Sequence, residues 1–192
     1  GFKTTATIMY GHVETPIHWA NHLTEVRNLQ LQTGGFTEFV PLPYVPMEAP
    51  MYLKGKSRRG PSFREAILMH SVSRIAFKGL INNIQTSWVK MGQEGVQACL
   101  NAGANDIGGT LMNESITRAA GADHGQEWHP QGIEETIISM GRIPKMRTTS
   151  YDEAPQSRRE LAFRASTLTQ IENTAAAKLQ RSKKLDNIAQ VL

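Results

Sequence analysis

The chain repeats one order of features: a short apolar run, a loop rich in glycine or proline, then an amphipathic helical stretch. This order constrains the fold more than any other property, because a helix that returns the chain to the same end of a sheet makes neighbouring strands parallel. Residues 4–10 read as a buried strand, and Pro16 fits the first position of a following helix, where its missing N–H costs nothing. Ala20, Leu23 and Val26 lie on one side of that helix, and Gly34-Gly35 ends it. Residues 36–40 form the second expected strand. Pro41, Pro43, Pro46 and Pro50 then punctuate a loop that reaches Pro61.

Ser62-Phe63-Arg64-Glu65 is a capping box, in which serine and glutamate exchange bonds with each other's backbone N–H. Behind it, Leu68, Val72, Ile75 and Ala76 keep helical spacing and define the expected buried face. Residues 83–89 read as a third strand, with a helix over 93–102, and residues 105–107 as a fourth strand before Gly108-Gly109. Further helices are expected over 113–120 and 130–140. Residues 157–192 read as one long polar helix or a partly disordered tail. Four strand–helix units fit half of an eight-fold barrel or part of a doubly wound sheet. No GxGxxG or GxxxxGK[ST] follows a strand, and the half barrel is the favoured reading. The expected division is 1–155 as the half barrel and 156–192 as a helical extension.

Charge and cysteine content narrow the function classes. The net charge of +4 concentrates at Lys54, Lys56, Arg58 and Arg59 and at Lys178, Arg181, Lys183 and Lys184. Acidic residues are interspersed elsewhere and aromatics make up 7%, which favours a solvated surface over a nucleic-acid partner. No apolar run approaches the ~18 residues needed to span a bilayer, and no basic segment with an apolar run opens the chain. A cytoplasmic protein without a membrane partner is expected. Cys99 is the single cysteine, so the chain carries neither a disulfide framework nor a cysteine cluster for a metal. Its apolar helical surroundings predict a plain buried thiol. The chain starts at Gly1 rather than methionine, and is expected to be part of something longer.

Four segments carry polar chemistry. In the first turn, Gly11, His12 and Glu14 follow a strand directly. Glycine there lets a flat ligand approach the backbone, and His12 and Glu14 can bind or move protons; the alternative is a tight turn whose glutamate caps the next helix. On the third strand, alternation puts Gln85 and Ser87 on one side and Ile84, Thr86 and Trp88 on the other, suiting either a neutral ligand or a satisfied polar layer. Asn105 and Asp106 precede the paired glycines, as ligand contacts or as turn formers. His124 and His129 flank Glu127 in a spacing that is not HExxH, and metal ligation there is disfavoured.

The blocks TIMYGHVET (7–15), GGFTEFVPLPYVPMEAPMYLKGKSRRGPSFREA (34–66), NIQTSWVKMG (83–92) and GANDIGGTLMNESITRAAGADHGQ (103–126) closely resemble one radical-SAM subgroup. That subgroup is the tyrosine-using subunit of 7,8-didemethyl-8-hydroxy-5-deazariboflavin synthase, a sequence type that also forms the second half of a fused version. The resemblance covers residues 1–155, including GRIPKMRTTSY (141–151). It implies an eight-stranded β/α barrel with a CxxxCxxC loop that holds a [4Fe-4S] cluster. It further implies cleavage of S-adenosylmethionine to a radical that starts transfer of the hydroxybenzyl group of L-tyrosine to 5-amino-6-(D-ribitylamino)uracil. A partner subunit or fused domain then closes the ring of the deazaflavin found in the coenzyme known as factor 420.

On this mapping residues 4–10 are the fifth barrel strand and residues 103–109 span the eighth. The resemblance assigns Gly11, His12 and Glu14 to the support of S-adenosylmethionine, and Glu38, Gln85, Ser87, Trp88, Asn105 and Asp106 to the substrate cavity. Arg58 and Arg59 are candidates to meet a carboxylate, or belong to a solvated loop. CxxxCxxC and the first four strands are missing, so the cluster ligands are expected upstream and the amino-terminal half of the barrel becomes a required partner. Without it, two strand edges are unpaired and the fragment alone is expected to be inactive. A radical-SAM enzyme of the futalosine route to menaquinone is the related alternative; the FVPLPYVPMEAP loop favours deazaflavin synthesis. A noncatalytic binding module is the alternative from another class.

Overall fold

The structure, a computed structural model, describes residues 1–111, 113–122 and 124–168. Its elements are β1 (Thr4–Tyr10), α1 (Pro16–Thr33), β2 (Phe36–Pro43), α2 (Pro50–Leu53), α3 (Phe63–Ala76), α4 (Trp88–Asn101), α5 (Ile116–Ala119), α6 (Pro130–Ser139) and α7 (Gln156–Arg164). β1 and β2 pair in parallel, Ala6 against Phe39 and Tyr10 against Pro43. The α/β arrangement expected from the alternation is present. The ladder itself is smaller than four strands.

β2 runs three residues past its expected end, through two prolines. Hydrogen-bond phase explains how. Tyr44 N–H donates to Tyr10 O at 2.8 Å, whereas Phe39 N–H donates away from β1, to Asn83 O at 2.9 Å. Odd-numbered residues of β2 therefore aim their N–H at the side opposite β1, and Pro41 and Pro43 fall in that phase. Their rings cost β1 no bond, but they leave β2 without donors for a third strand beyond Phe39.

The expected third and fourth strands shrink accordingly to isolated parallel bridges, Phe39 with Ile84 and Gln85 with Asp106. Gln85 N–H donates to Phe39 O at 3.0 Å, and Thr86 N–H to Asp106 O at 2.8 Å. The neighbour order is still sequential. The third segment stops because α4 begins at Trp88, five residues before its expected start, and Gly92 at φ 65° and ψ 176° interrupts the helix. The helix expected over 113–120 is reduced to α5. α7 ends at Arg164 with Ala165 extended, so no single helix runs on from Ser157; residues 169–192 lie outside the described residues.

Two apolar clusters hold the elements. Ala6, Ile8 and Tyr10 of β1 and Phe39 of β2 meet Leu23 of α1 and Met69 of α3. Trp88, Val96, Cys99 and Leu100 of α4 meet Ile133 and Ile137 of α6, and Met91 touches both clusters. Cys99 is the buried thiol expected, and burial pushes it up to about 11. Gln30 pins the start of β2: its amide donates to Phe36 O at 3.1 Å and Leu80 O at 3.0 Å and accepts from Phe36 N–H at 2.8 Å.

α3 turns a different face inward from the one its apolar spacing suggests. Leu68, Val72 and Ile75 are exposed, and Ala66, Met69, His70 and Ser73 are buried. Two of the inward polar atoms bond to the helix itself, His70 Nδ1 with Ala66 O at 2.8 Å and Ser73 Oγ to Met69 O at 2.6 Å. Polar side chains satisfied this way can face a core, and hydrophobic spacing then misreports the buried side. The capping box is as expected: Glu65 N–H donates to Ser62 Oγ at 3.2 Å and Ser62 N–H to Glu65 Oε2 at 2.6 Å. Replacing Ser62 by alanine should cost about 1 kcal/mol, read as a lower urea midpoint with an unchanged denaturant slope.

Candidate functional site

Because the strand segments run parallel, their carboxyl ends share one side. That side carries the Gly11–Glu14 turn, the Tyr44–Met47 loop, the Ser87–Lys90 entry to α4 and Gly108-Gly109. Thr5, Glu38, Gln85 and Asp106 lie nearer the amino ends. The sequence-predicted residues therefore occupy two levels.

In the turn, Glu14 accepts from Gly11 N–H, from His12 N–H at 2.9 Å and from Trp19 Nε1 at 2.8 Å. Arg58 lies 3.6 Å from the same carboxylate and forks onto Glu65 at 2.8 and 3.0 Å. Burial opposes charge on Glu14, but the backbone N–H groups of the turn and the Trp19 indole outweigh it and hold the carboxyl down at about 2. Gly11 has φ 97°, and the Cβ it lacks would collide with Pro61. The close approach that demands glycine here is made by the chain's own proline. His12 packs edge-on against Tyr44 with centroids 5.8 Å apart, and its Nδ1, 3.3 Å from Glu14 Oε2, is buried without a hydrogen bond.

The amino-end level is a closed network. Glu38 accepts from Thr5 Oγ1 at 2.7 Å, from Gln85 Nε2 at 3.0 Å and from the Tyr151 hydroxyl, and lies 3.5 Å from Arg147. Asp106 accepts from Arg147 Nε and from Gly108 N–H at 2.6 Å. The Arg147 guanidinium stacks 4.0 Å over the Tyr151 ring. Burial works against the Arg147 charge, but the bond and charge of Asp106 raise its pKa; burial first, then the bond to Glu38, raises that of Tyr151.

Sequence reasoning missed Arg147 and Tyr151, although both stand in GRIPKMRTTSY. A lone arginine among threonines gives no spacing signal; only the two carboxylates opposite it would have called for a cation.

Trp88 and Asn105 face away from this network. Trp88 is buried against Trp128, centroids 6.1 Å apart, and donates to Gly109 O at 2.8 Å. Asn105 Oδ1 accepts from Arg74 at 2.6 Å and from Ile84 N–H at 2.9 Å. The helix start at Trp88 ends the alternation that would have set its side chain on the sheet. Ser87 is the N-cap residue of α4, and its carbonyl accepts from Lys90 and Met91.

A cavity of about 310 Å³ opens on the carboxyl-end side, among the loop after β2, the start of α3, the first turn of α4 and His124. Arg59, Lys90 and His124 contribute to its wall; the last two were not singled out as cavity residues from sequence, though both sit inside the quoted blocks. Among the described residues no group of three or more His, Cys, Asp or Glu converges to hold a metal, and Cys99 lies in the core. An iron–sulfur cluster therefore finds no ligand set in them. No described helix is long and apolar enough to cross a membrane.

Parallel strand–helix units with polar turns and a cavity over the carboxyl ends define an α/β protein of the kind that carries ligands at that side of its sheet. The chain belongs to the family described as the CofH/MqnC C-terminal region, which it matches over residues 33–161. This bears out the family read from the sequence blocks. It is 52% identical over 151 residues to the 5-amino-6-(D-ribitylamino)uracil–L-tyrosine 4-hydroxyphenyl transferase of Methanocaldococcus jannaschii, covering 79% of this chain and 42% of that protein. The transferase of the same name from Methanococcus maripaludis is 49% identical over 152 residues, 79% of this chain and 42% of its own length. The FO synthase of Mycobacterium leprae is 48% identical over 151 residues, 79% of this chain and 18% of that protein. The chain thus spans well under half the length of these relatives.

Two outcomes follow from the geometry. The folded state keeps Glu14 ionised down to about 2, while the unfolded chain takes up its proton near 4.5. The stabilisation is complete above 4.5 and drains away as pH falls from there toward 2. Urea denaturation should therefore give a wild-type advantage over Glu14→Gln that is flat at neutral pH and shrinks across that window; a pH-independent difference contradicts the account. In the amino-end network, Tyr151→Phe removes one donor and should cost about 1 kcal/mol. Arg147→Met leaves two facing carboxylates without their cation and should cost more, about 2–3 kcal/mol after allowing for partial exposure.

Proposed function

We propose that this chain is the carboxyl-terminal wall, strands five to eight, of a radical-SAM β/α barrel. The intact enzyme joins the hydroxybenzyl group of L-tyrosine to 5-amino-6-(D-ribitylamino)uracil in deazaflavin biosynthesis. The observation that carries this reading is identity of 48–52% over about four-fifths of the chain with relatives bearing the transferase or FO synthase name. The sequential parallel order of the four strand segments supports the barrel assignment.

A [4Fe-4S] cluster, with ligands outside this chain, and S-adenosylmethionine supply, when bound, the radical that starts the reaction. The residues here shape and hold. Glu14 locks the turn, so the His12 ring keeps a fixed place beside Tyr44 and offers an edge to a flat ligand such as adenine. Ser87 and Gly108-Gly109 present hydroxyl and backbone groups at the carboxyl ends. Glu38, Gln85 and Asp106, originally assigned to the cavity, act from below it. Every carboxylate oxygen of Glu38 and Asp106 is engaged by protein donors, so this layer closes the base of the wall and fixes the register of the strands above. The amino-terminal half of the barrel covers the free edges, and a ring-closing subunit or fused domain takes the product.

The test uses the intact protein with its cluster reconstituted, under reducing conditions, with S-adenosylmethionine, tyrosine and the ribitylaminouracil. A tyrosine-derived adduct of the pyrimidine, detected by mass spectrometry and dependent on all three, is the expected product. Cleavage of S-adenosylmethionine without adduct, or turnover only with a substrate of the futalosine route, overturns the reading.

A further inference from the structure

The carboxyl-end cavity has a one-sided electrostatic character. Among the described residues that line it, Arg59, Lys90 and His124 are basic and none is acidic. Lys90 stands out because it is half-buried and joins no ion pair among the described residues. Burial lowers its pKa and the charge of Glu114 acts the other way. Arg58, one residue before Arg59, is by contrast consumed by Glu14 and Glu65. With only the charge of Glu114 to offset its burial, and no ion pair among the described residues, the Lys90 ammonium keeps hydrogen-bonding capacity for an anion in the cavity.

The wall around it is built rather than incidental. Gly92 breaks α4 two residues after Lys90, and the space its Cβ would fill is occupied by the His124 ring, 2.6 Å away from that position. The backbone has given up a side chain to seat the histidine. Pro46, Phe63 and Met91 add apolar surface to the same cavity. A volume of about 310 Å³ lies at the small end of the range for ligand pockets, roughly 300–1,000 Å³. The occupant that fits is compact, carries both polar and apolar surface, and is anionic at one end.

We infer that this cavity receives the α-carboxylate end of an amino-acid substrate or cosubstrate, with Lys90 as its countercharge, Arg59 at the rim and His124 as part of the wall. The inference rests on the proposed function insofar as both tyrosine and S-adenosylmethionine are α-amino acids. The shared chemistry is the carboxylate, and binding measurements separate the two sources.

Equilibrium binding of tyrosine and of S-adenosylmethionine is measured separately by calorimetry on the intact, cluster-containing protein. Lys90→Met should weaken one of the two by roughly ten- to a hundredfold, the loss of one charged hydrogen bond, and leave the other unchanged. Lys90→Arg should restore most of the affinity. If tyrosine is the occupant, tyramine, which lacks the carboxylate, binds wild type and Lys90→Met equally. If S-adenosylmethionine is, its decarboxylated form does so. Melting temperature and cluster absorbance verify that the variant is folded, and Arg59→Met, on an exposed loop, repeats the test with a smaller loss should Lys90→Met not fold. Unchanged affinity for both amino acids, or no binding of either to wild type, overturns the inference. An adduct formed normally by a protein whose amino-acid binding ignores Lys90 sinks this inference alone. Lys90-dependent binding with no adduct sinks the proposed function and leaves the cavity assignment standing.

Discussion

Glu14 is the point on which the upper side of the molecule depends. One carboxylate gathers two backbone N–H groups of the turn after β1, the indole of α1, and an arginine from the loop that precedes α3. That arginine continues to Glu65, whose other partner is the N-cap backbone of α3. Strand, both flanking helices and the intervening loop are thus referred to a single anion. Such an arrangement is effective because each contact is charge-assisted and because, Arg58 apart, the donors are backbone or a rigid ring that lose little freedom on ordering. Pro61 presses into the side of Gly11 that a Cβ would occupy, and the turn is held from that direction by packing as well.

The sheet has its own constraint in the prolines of β2. In phase, Pro41 and Pro43 spare the bond to β1; they also leave the far edge of β2 without donors above Phe39. The next segment can bridge only low on β2, through Ile84, and its neighbour only through Asp106. The carboxyl ends of the later segments are therefore released from the ladder and free to become helix entry and glycine turn. The cavity occupies the room this creates, between the loop that leaves β2 and the first turn of α4.

What could be read from residue order divides along the same physical line. Local chemistry was legible: the capping box at Ser62 and Glu65, Pro16 at the head of α1, the buried thiol of Cys99 and the parallel order of the segments all follow from patterns a few residues long. The failures are long-range. Leu68, Val72 and Ile75 have the spacing of a buried face, yet α3 turns His70 and Ser73 inward, with His70 Nδ1 and Ser73 Oγ bonded to the helix's own carbonyls. The third strand is shorter than its pattern suggests because the prolines of β2 withhold the donors it would need and α4 begins at Trp88. Arg147 and Tyr151 escaped notice because their partners, Glu38 and Asp106, are far away in sequence. The carboxylates were visible; the cation that neutralises them was not.

The two levels of the wall differ in whether charge is already answered. Below, Glu38 and Asp106 meet Arg147, Tyr151, Gln85 and backbone amides, and a network so fully satisfied has little to offer a ligand; its free energy goes into holding the strand segments in place. Above, Lys90 is half-buried with no ion pair among the described residues, and the charge of Glu114 offsets its desolvation only in part. A site must keep some polar capacity unspent, and it can do so only where the surrounding structure is stiff enough to tolerate the cost. The closed layer of charges beneath and the Glu14 hub beside it provide that stiffness.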